Sequence, residues 1–371
     1  MAKTGSIVIA RAALLPALAS ALKIVERRNT IPILSNFRLA AAKGVLSLTA
    51  TDLDAEYTAA IEGAAGAAAA FTVPAQLLHD AVKKLPDGVE MALTSDGQNM
   101  TLAAGRSSFR LPVLPAADFP TMTVGGFSHE FSLPGKTLAA MVAAVEFAIS
   151  TDETRFYLNG IYWAQSGERL EAAATDGHRL ALYPLPLPAG ADGMPGVILP
   201  RKTVRMLKSI LDEKQDAAVA VSDTKIRFAQ GQASLVSKLI DGTYPDYRRV
   251  VPADNQNRFS VDREELAKAV DRVTTISSER GSAVRFAFGE EDLRLTTANP
   301  EAGSAEDALR LDLEQGEPVE IGFNGKYCLD MLAAIESETV TFLLGPAGAA
   351  ARIEPGGKAD GPFYVLMPMR V

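Results

Sequence analysis

One pattern recurs along this chain, and it limits the fold more than any composition figure. SIVIARAALLPALASALKIV from residue 6, HEFSLPGKTLAAMVAAVEFAIS from 129 and NRFSVDREELAKAVDRVTTIS from 257 each read as a short alternating strand, a start signal and an apolar-striped helix. A second trio interleaves with the first: FTVPAQLLHDAVKKLP from 71, VILPRKTVRMLKSILD from 197 and IGFNGKYCLDMLAAIE from 321. The period is roughly 125 residues, too long for a solenoid and about right for a globular domain. The half-period, near 63 residues, makes each domain a duplicated unit. Domains are therefore expected at 1–125, 126–255 and 256–371, with seams in PTMTVGGFSHE (120–130) and VVPADNQNRFS (250–260).

Alternating stretches fill the space between helices, broken by hairpin-like turns such as SDGQN (95–99), SDTK (222–225) and GEEDL (289–293). GAAGAAAA (63–70) reads as a turn leading into the strand at 71. Each half-unit is one helix with three to four strands, which implies an α+β fold of antiparallel sheets with helices on one face. Leu14, Leu18, Leu22 and Val25 form the buried stripe of the first helix, with Pro16 early in it. In the fourth helix Val204, Leu207 and Leu211 form an apolar stripe, and Arg201, Arg205 and Lys208 a basic one with Lys202 beside it. The first helix ends in Glu26-Arg27-Arg28 and the second carries Lys83-Lys84. A solvated helix face explains any one such run; recurrence at equivalent points of a repeat points to a shared surface.

The net charge of −8 argues against nucleic acid, but its distribution does not. Residues 256–371 hold 12 Lys and Arg against 20 Asp and Glu, and so carry the whole excess. The single cysteine, Cys328, excludes an internal disulfide and a Cys-based zinc cluster and fits a reducing compartment. No leader or membrane span is expected, and the chain is placed in the cytoplasm.

Catalytic signatures are missing. Ala174-Thr175-Asp176-Gly177-His178-Arg179-Leu180 could hold an Asp176–His178 acid–base pair, but no nucleophile or metal cluster accompanies it, and Asp-Gly is a common turn. His79 and His129 complete no metal-ligand spacing, and no phosphate loop, dinucleotide fingerprint or nucleophile elbow occurs. Neither cofactor nor metal is expected. The chain ends in Phe363-Tyr364-Val365-Leu366-Met367-Pro368-Met369-Arg370-Val371, apolar almost to its last residue. A final edge strand accounts for part of this, and an adaptable Met-lined groove for the rest. A hydrolase or lyase using Asp176 and His178, and a monomeric peptide-binding scaffold, stand as alternatives.

IPILSN (31–36), LPAADFP (114–120), RFYLNG (155–160), ATDGHRL (174–180), YPDYRRVVP (244–252) and the terminal MPMRV resemble, in order and over the whole chain, the bacterial DNA polymerase III beta subunits, the replication sliding clamps. The resemblance implies three tandem domains of the DNA-clamp fold forming half of a closed ring, a head-to-tail homodimer around duplex DNA without base readout. It implies a non-catalytic processivity factor whose partners are the clamp loader, DNA polymerase III and other DNA polymerases, with no membrane. It further implies a partner-peptide groove of Leu158, Thr175, Gly177, His178, Arg179, Leu180, Pro245, Arg249, Val250, Asn324, Tyr327 and the run Met367, Pro368, Met369, Arg370 and Val371. Arg28, Lys83, Tyr157, Arg201, Lys202 and Arg205 would face DNA, and Phe109 and Ile276 would lie at the dimer seam. Gln76 stands where some relatives carry a DNA-facing Arg, and Phe156 replaces a Tyr beside Tyr157. ATDGHRL and MPMRV are expected to have no counterpart in the first domain.

Overall fold

The computed structural model describes residues 5–26, 30–123, 125–277, 283–346 and 348–370. All six expected strand–helix units form. The first third runs β1 (Gly5–Ala10), α1 (Arg11–Ala21), β2 (Asn36–Ala42), β3 (Val45–Thr51), β4 (Ala55–Glu62), β5 (Ala65–Gly66), β6 (Ala69–Pro74), α2 (Ala75–Lys84), β7 (Glu90–Ser95), β8 (Asn99–Ala104) and β9 (Ser107–Pro112). The middle third runs β10 (His129–Pro134), α3 (Gly135–Val145), β11 (Gly160–Ser166), β12 (Arg169–Thr175), β13 (Arg179–Pro186), β14 (Val197–Pro200), α4 (Arg201–Ile210), β15 (Asp216–Val221), β16 (Lys225–Gln230) and β17 (Ala233–Lys238). The last third runs β18 (Asn257–Asp262), α5 (Arg263–Thr274), β19 (Ala283–Phe288), β20 (Asp292–Asn299), β21 (Gly303–Gln315), β22 (Val319–Asn324), α6 (Gly325–Ala334), β23 (Thr339–Leu344), β24 (Ala351–Pro355) and β25 (Phe363–Leu366).

Strand pairing exchanges the halves of each copy. The strand before the first helix joins the three strands after the second, as β1 does with β7, β8 and β9. The strand before the second helix joins the three after the first, as β6 does with β2, β3 and β4. Sheets then run on across the seams. The outer strand β4 pairs with β17, Leu235 opposite Tyr57, and β13 pairs with β25, Leu180 opposite Val365. The result is a five-stranded, an eight-stranded and a twelve-stranded sheet. In the last copy β21 is long enough to pair with β20 through its first part and with β18 through its end.

Two compact units emerge, Met1–Leu138 with Lys202–Leu239, and Ala139–Arg201 with Ile240–Val371. The first holds the five- and eight-stranded sheets, the second the twelve-stranded sheet. Alternation along the strands builds the cores: Ile7, Ile9, Leu46, Leu48, Leu93 and Leu102 in the first, and Trp163, Phe259, Phe286, Phe323 and Phe342 in the second. Two helices start on side-chain caps, Asp262 accepting from the Glu265 N–H at 2.8 Å and Asn324 from that of Tyr327 at 3.2 Å. Among the described residues no helix is long and apolar enough to cross a membrane.

Three local readings need correction. Helix α1 stops at Ala21, so Leu22 and Val25 follow it half-buried, and Ile24 takes the buried place. Pro16 is its sixth residue, past the orphan N–H groups of the first turn, and its ring removes the bond to the Ala12 carbonyl from an exposed face. The 63–70 stretch is more than a turn: Ala65 and Gly66 form β5 against Val8 and Ile7.

Candidate partner-docking site

The turn between β12 and β13 organises the site. The Thr175 hydroxyl donates to the Arg179 carbonyl at 2.6 Å and accepts from the Gly177 N–H at 3.1 Å. One Asp176 carboxylate oxygen accepts from the His178 and Arg179 N–H groups at 2.9 and 3.1 Å. Asp176 is thus consumed by the turn it closes, and it does not orient the His178 ring. Gly177 is required on two counts. Its φ is +90°, and a Cβ there would lie 2.8 Å from the Arg155 guanidinium.

Arg179 is the pivot. Its side chain, 10% exposed, donates to the second Asp176 oxygen at 3.0 Å and to Asp330 on α6 at 2.7 Å. The guanidinium carbon lies 4.3 Å from the Tyr327 ring centre and 5.2 Å from that of Phe147. His178 stacks on Tyr327 at 6.2 Å. Burial, and then the Asp176 carboxylate, push the Tyr327 hydroxyl above its ordinary pKa. The tail is held by backbone: the Met367 N–H donates to the His178 carbonyl at 2.9 Å, and that of Met369 to the Gly322 carbonyl at 2.8 Å.

Below the turn, Leu158, Leu180, Tyr244, Tyr247 and Val365 share one buried cluster. The Tyr162 and Tyr244 rings stack at 4.7 Å, and burial raises the Tyr244 hydroxyl strongly. Beside it Pro245 is exposed, and Val250 and Met367 present 53% and 44% of their surfaces to solvent. Arg249 pairs only with its neighbour Asp246, at 3.0 Å. Val250 and Met367 thus leave exposed apolar surface on the linker and the C-terminal tail, over this buried cluster. Among the described residues no cluster of acidic, His or Cys side chains could hold a metal.

Of the expected groove residues, Thr175, Gly177, His178, Arg179 and Leu180 lie at the turn, Pro245, Arg249 and Val250 on the linker, Met367, Pro368 and Met369 on the tail, Leu158 just before β11, and Asn324 and Tyr327 at the start of α6. Arg370, exposed, lines a separate 470 Å³ cleft with Arg285, Thr296 and Ser304. Val371, like Arg28 at the other expected surface, lies outside the described residues. Arg155, Phe147 and Asp330 were not anticipated. Asp330 follows Tyr327 by three residues on α6 and so shares its face, a legible signal; Arg155 and Phe147 meet the turn only through tertiary folding.

Elsewhere, Lys202 on α4 is bound by Asp52 and, at 2.6 Å, by Glu26. Burial works against its charge, but the two carboxylates outweigh it and hold its pKa above the usual lysine value. Arg205 and Lys83 are exposed, Arg201 is half-buried, and Tyr157 packs edge-on against Phe156 at 5.8 Å. Phe109 lies half-buried on the edge strand β9, and the Ile276 carbonyl accepts from Asn299 at 3.0 Å.

One expectation fails. The turn has a counterpart in the first copy, Thr51-Asp52-Leu53-Asp54-Ala55, with the same bonds: Thr51 to the Ala55 carbonyl at 2.8 Å, and Asp52 accepting from Asp54 and Ala55. Leu53 even takes the left-handed place of Gly177, at φ +79°. The tail contact recurs too, with the Lys238 N–H donating to the Asp54 carbonyl at 2.8 Å.

Family models for the N-terminal, central and C-terminal domains of the DNA polymerase III beta subunit match residues 6–123, 132–246 and 248–370. The chain belongs to this family. The beta sliding clamp of Caulobacter vibrioides (strain NA1000 / CB15N) is 45% identical over 371 residues, covering 98% of this chain and 99% of its own. That of Escherichia coli (strain K12) is 38% identical over 348 residues, covering 93% and 94%. The crystal structure of a sliding clamp from Bartonella birtlesii bound to griselimycin superposes with a TM-score of 0.95 at 44% identity, over 99% of this chain and all of that one. This sliding clamp is accordingly built of three tandem clamp domains. It is a processivity factor of DNA replication rather than an enzyme, with DNA and DNA polymerases as partners.

Proposed function

We propose that two copies of this clamp close head to tail into a ring around duplex DNA. The carrying observation is a pair of uncovered strand edges. Within the chain, the outer strand of one domain's second sheet always meets the outer strand of the next domain's first sheet: β4 meets β17, and β13 meets β25. Two edges of these kinds are left over among the described residues, that of β9 and that of the first part of β21, whose end is taken up by β18. By cross-strand register, Phe109 occupies the place of Leu235 in β17 and Tyr364 in β25, both fully buried where Phe109 is not. Arg106 and Arg110 lie near it, while β21 carries Glu306 and Asp307, which within the chain pair with Arg294 and Arg272, so the edges are opposite in charge but their acids would have to share partners. Such a heterologous contact closes when the rotation per domain divides the circle.

On this reading the domains divide at 125/126, between the first two matched segments, and at 255/256, just before β18. The groove around Arg179, His178 and Met367 takes short extended peptides of the clamp loader, DNA polymerase III and other DNA polymerases. Arg28, Lys83, Tyr157, Arg201 and Arg205 face the DNA backbone, and Lys202 does so only from within its ion pairs. Few phosphate contacts suit a topological tether, which must slide. The protein works in the cytoplasm.

Sedimentation of Phe109→Asp tests the closure: the native chain is expected to run as a dimer and the variant as a folded monomer. The loaded native clamp should remain on nicked circular DNA and leave after linearisation. Equal retention on both DNAs, or an unchanged dimer in the variant, would refute the ring.

A further inference from the structure

Three strands lead into the first helix of their domains, and their outer edges have different fates. On β1 the edge is covered by β5, antiparallel, with Ile7 opposite Gly66 and Val8 opposite Ala65. On β18 it is covered by the end of β21, also antiparallel, with Phe259 opposite Leu313 and Ser260 opposite Asp312. Aligned on the helix starts, these positions correspond to Phe131 and Ser132 of β10. Yet β10 is the terminal strand of the eight-stranded sheet, paired through His129–Pro134 to β15 alone among the described residues. The edges of β6, β14 and β22 are terminal in a different way, since in all three domains that edge makes a backbone bond to a later segment, at Leu114, Ile240 and Met369. Apart from β9 and the first part of β21, which the ring closure would cover, β10 is the edge left open among the described residues where both siblings are covered, and an open edge is a template for another strand.

The covered sibling also indicates the chemistry of the missing strand. The β21 segment over β18 reads Leu311-Asp312-Leu313-Glu314-Gln315, aliphatic at alternate positions. Its Glu314 accepts from Arg258 and, at 2.6 Å, from Ser260. In β10 the serine is kept as Ser132, but the Arg258 position is Glu130, whose side chain is 68% exposed and touches Arg227 only at 3.5 Å. The charge preference is therefore inverted. A second copy of β10 would bring another Glu130 and neither Lys nor Arg, with His129 its one basic side chain, which disfavours self-pairing.

We propose that the outer edge of β10 docks an extended, antiparallel segment of a partner protein, with aliphatic residues at alternate positions and a basic residue facing Glu130. The site is separate from the peptide groove and uses main-chain bonding for affinity and Glu130 for selection.

Hydrogen exchange and peptide titration on the full-length clamp test this. The β10 amides not bonded to β15 should exchange faster than their counterparts in β1 and β18. A labelled Leu-Asp-Leu-Lys-Gln peptide should slow them and bind roughly fivefold tighter than Leu-Asp-Leu-Glu-Gln. Glu130→Lys should reverse that order, and Met367→Lys in the groove should leave it unchanged. Amides already protected without peptide, protection that grows with clamp concentration alone, or no effect at roughly millimolar peptide would each overturn the proposal. An order indifferent to Glu130→Lys would do the same.

Discussion

The two Thr-Asp turns of this clamp share a backbone and differ in almost every side chain that reaches the surface. At 175–180 the sequence places Gly177, His178, Arg179 and Leu180, joined by Met367 from the tail. At 51–56 the equivalent places hold Leu53, Asp54, Ala55 and Glu56, joined by Lys238. Both turns pair with the following domain in the same register. The first carries exposed apolar surface at Met367, with the nearly buried Arg179 beneath it. The second is lined by charge, and the linker fills part of it: Glu56 accepts from the Met122 N–H at 2.8 Å. Repetition supplies the scaffold, and on the function proposed above a handful of substitutions decides which copy receives a peptide.

The comparison can be broken at its root. Arg179→Ala would leave Asp176 and Asp330 facing each other with no cation between them. A loss of about 3–5 kcal/mol is expected for removing one partner of such a buried set, read as a lower urea midpoint. The equivalent change is already present in the first copy as Ala55, so Ala55→Arg should not rescue docking there.

A second change sharpens the comparison. Giving the docking turn the charges of its sibling, with His178→Asp and Met367→Lys together, should weaken binding of a labelled polymerase-derived peptide by roughly tenfold or more while the dimer stays intact. Binding within twofold of native would mean that side-chain character is not what separates the turns.

The smallest effect concerns Glu56, the counterpart of Leu180. Burial raises its pKa above 4.5, and the Met122 N–H and Arg38 only partly pull it back. A raised folded-state pKa favours the folded protein below the unfolded value and loses that contribution as pH rises through the folded one. The melting temperature should therefore gain slightly as pH falls from 7 toward 5, and Glu56→Gln should flatten that slope. An unchanged slope would remove Glu56 as its source.

Local chemistry made the six strand–helix units legible, because each joins a period of two to a period near 3.6 with a recognisable start. The docking turn was legible for the same reason, through Asp176-Gly177. Its sibling was not, because Leu53 occupies a left-handed position that sequence reasoning reserves for glycine, at an expected cost of about 1–3 kcal/mol. Arg155 and Phe147 escaped because only tertiary folding brings them to Arg179 and Gly177. Strand exchange within each domain escaped too, since alternation names a strand and not its partner.

That exchange bears on how the chain can be made. Strand β10 waits for β15, roughly 80 residues later, before its first ladder can form, and β1 and β18, which meet β5 and the end of β21 sooner, wait as long for β7 and β23. No half of a domain can mature alone during synthesis, and β13 keeps a bare edge until β25, the last strand, emerges. A nascent clamp therefore carries open sheet on the ribosome until β25 has emerged. Stalled or C-terminally shortened products should be unusually prone to aggregate.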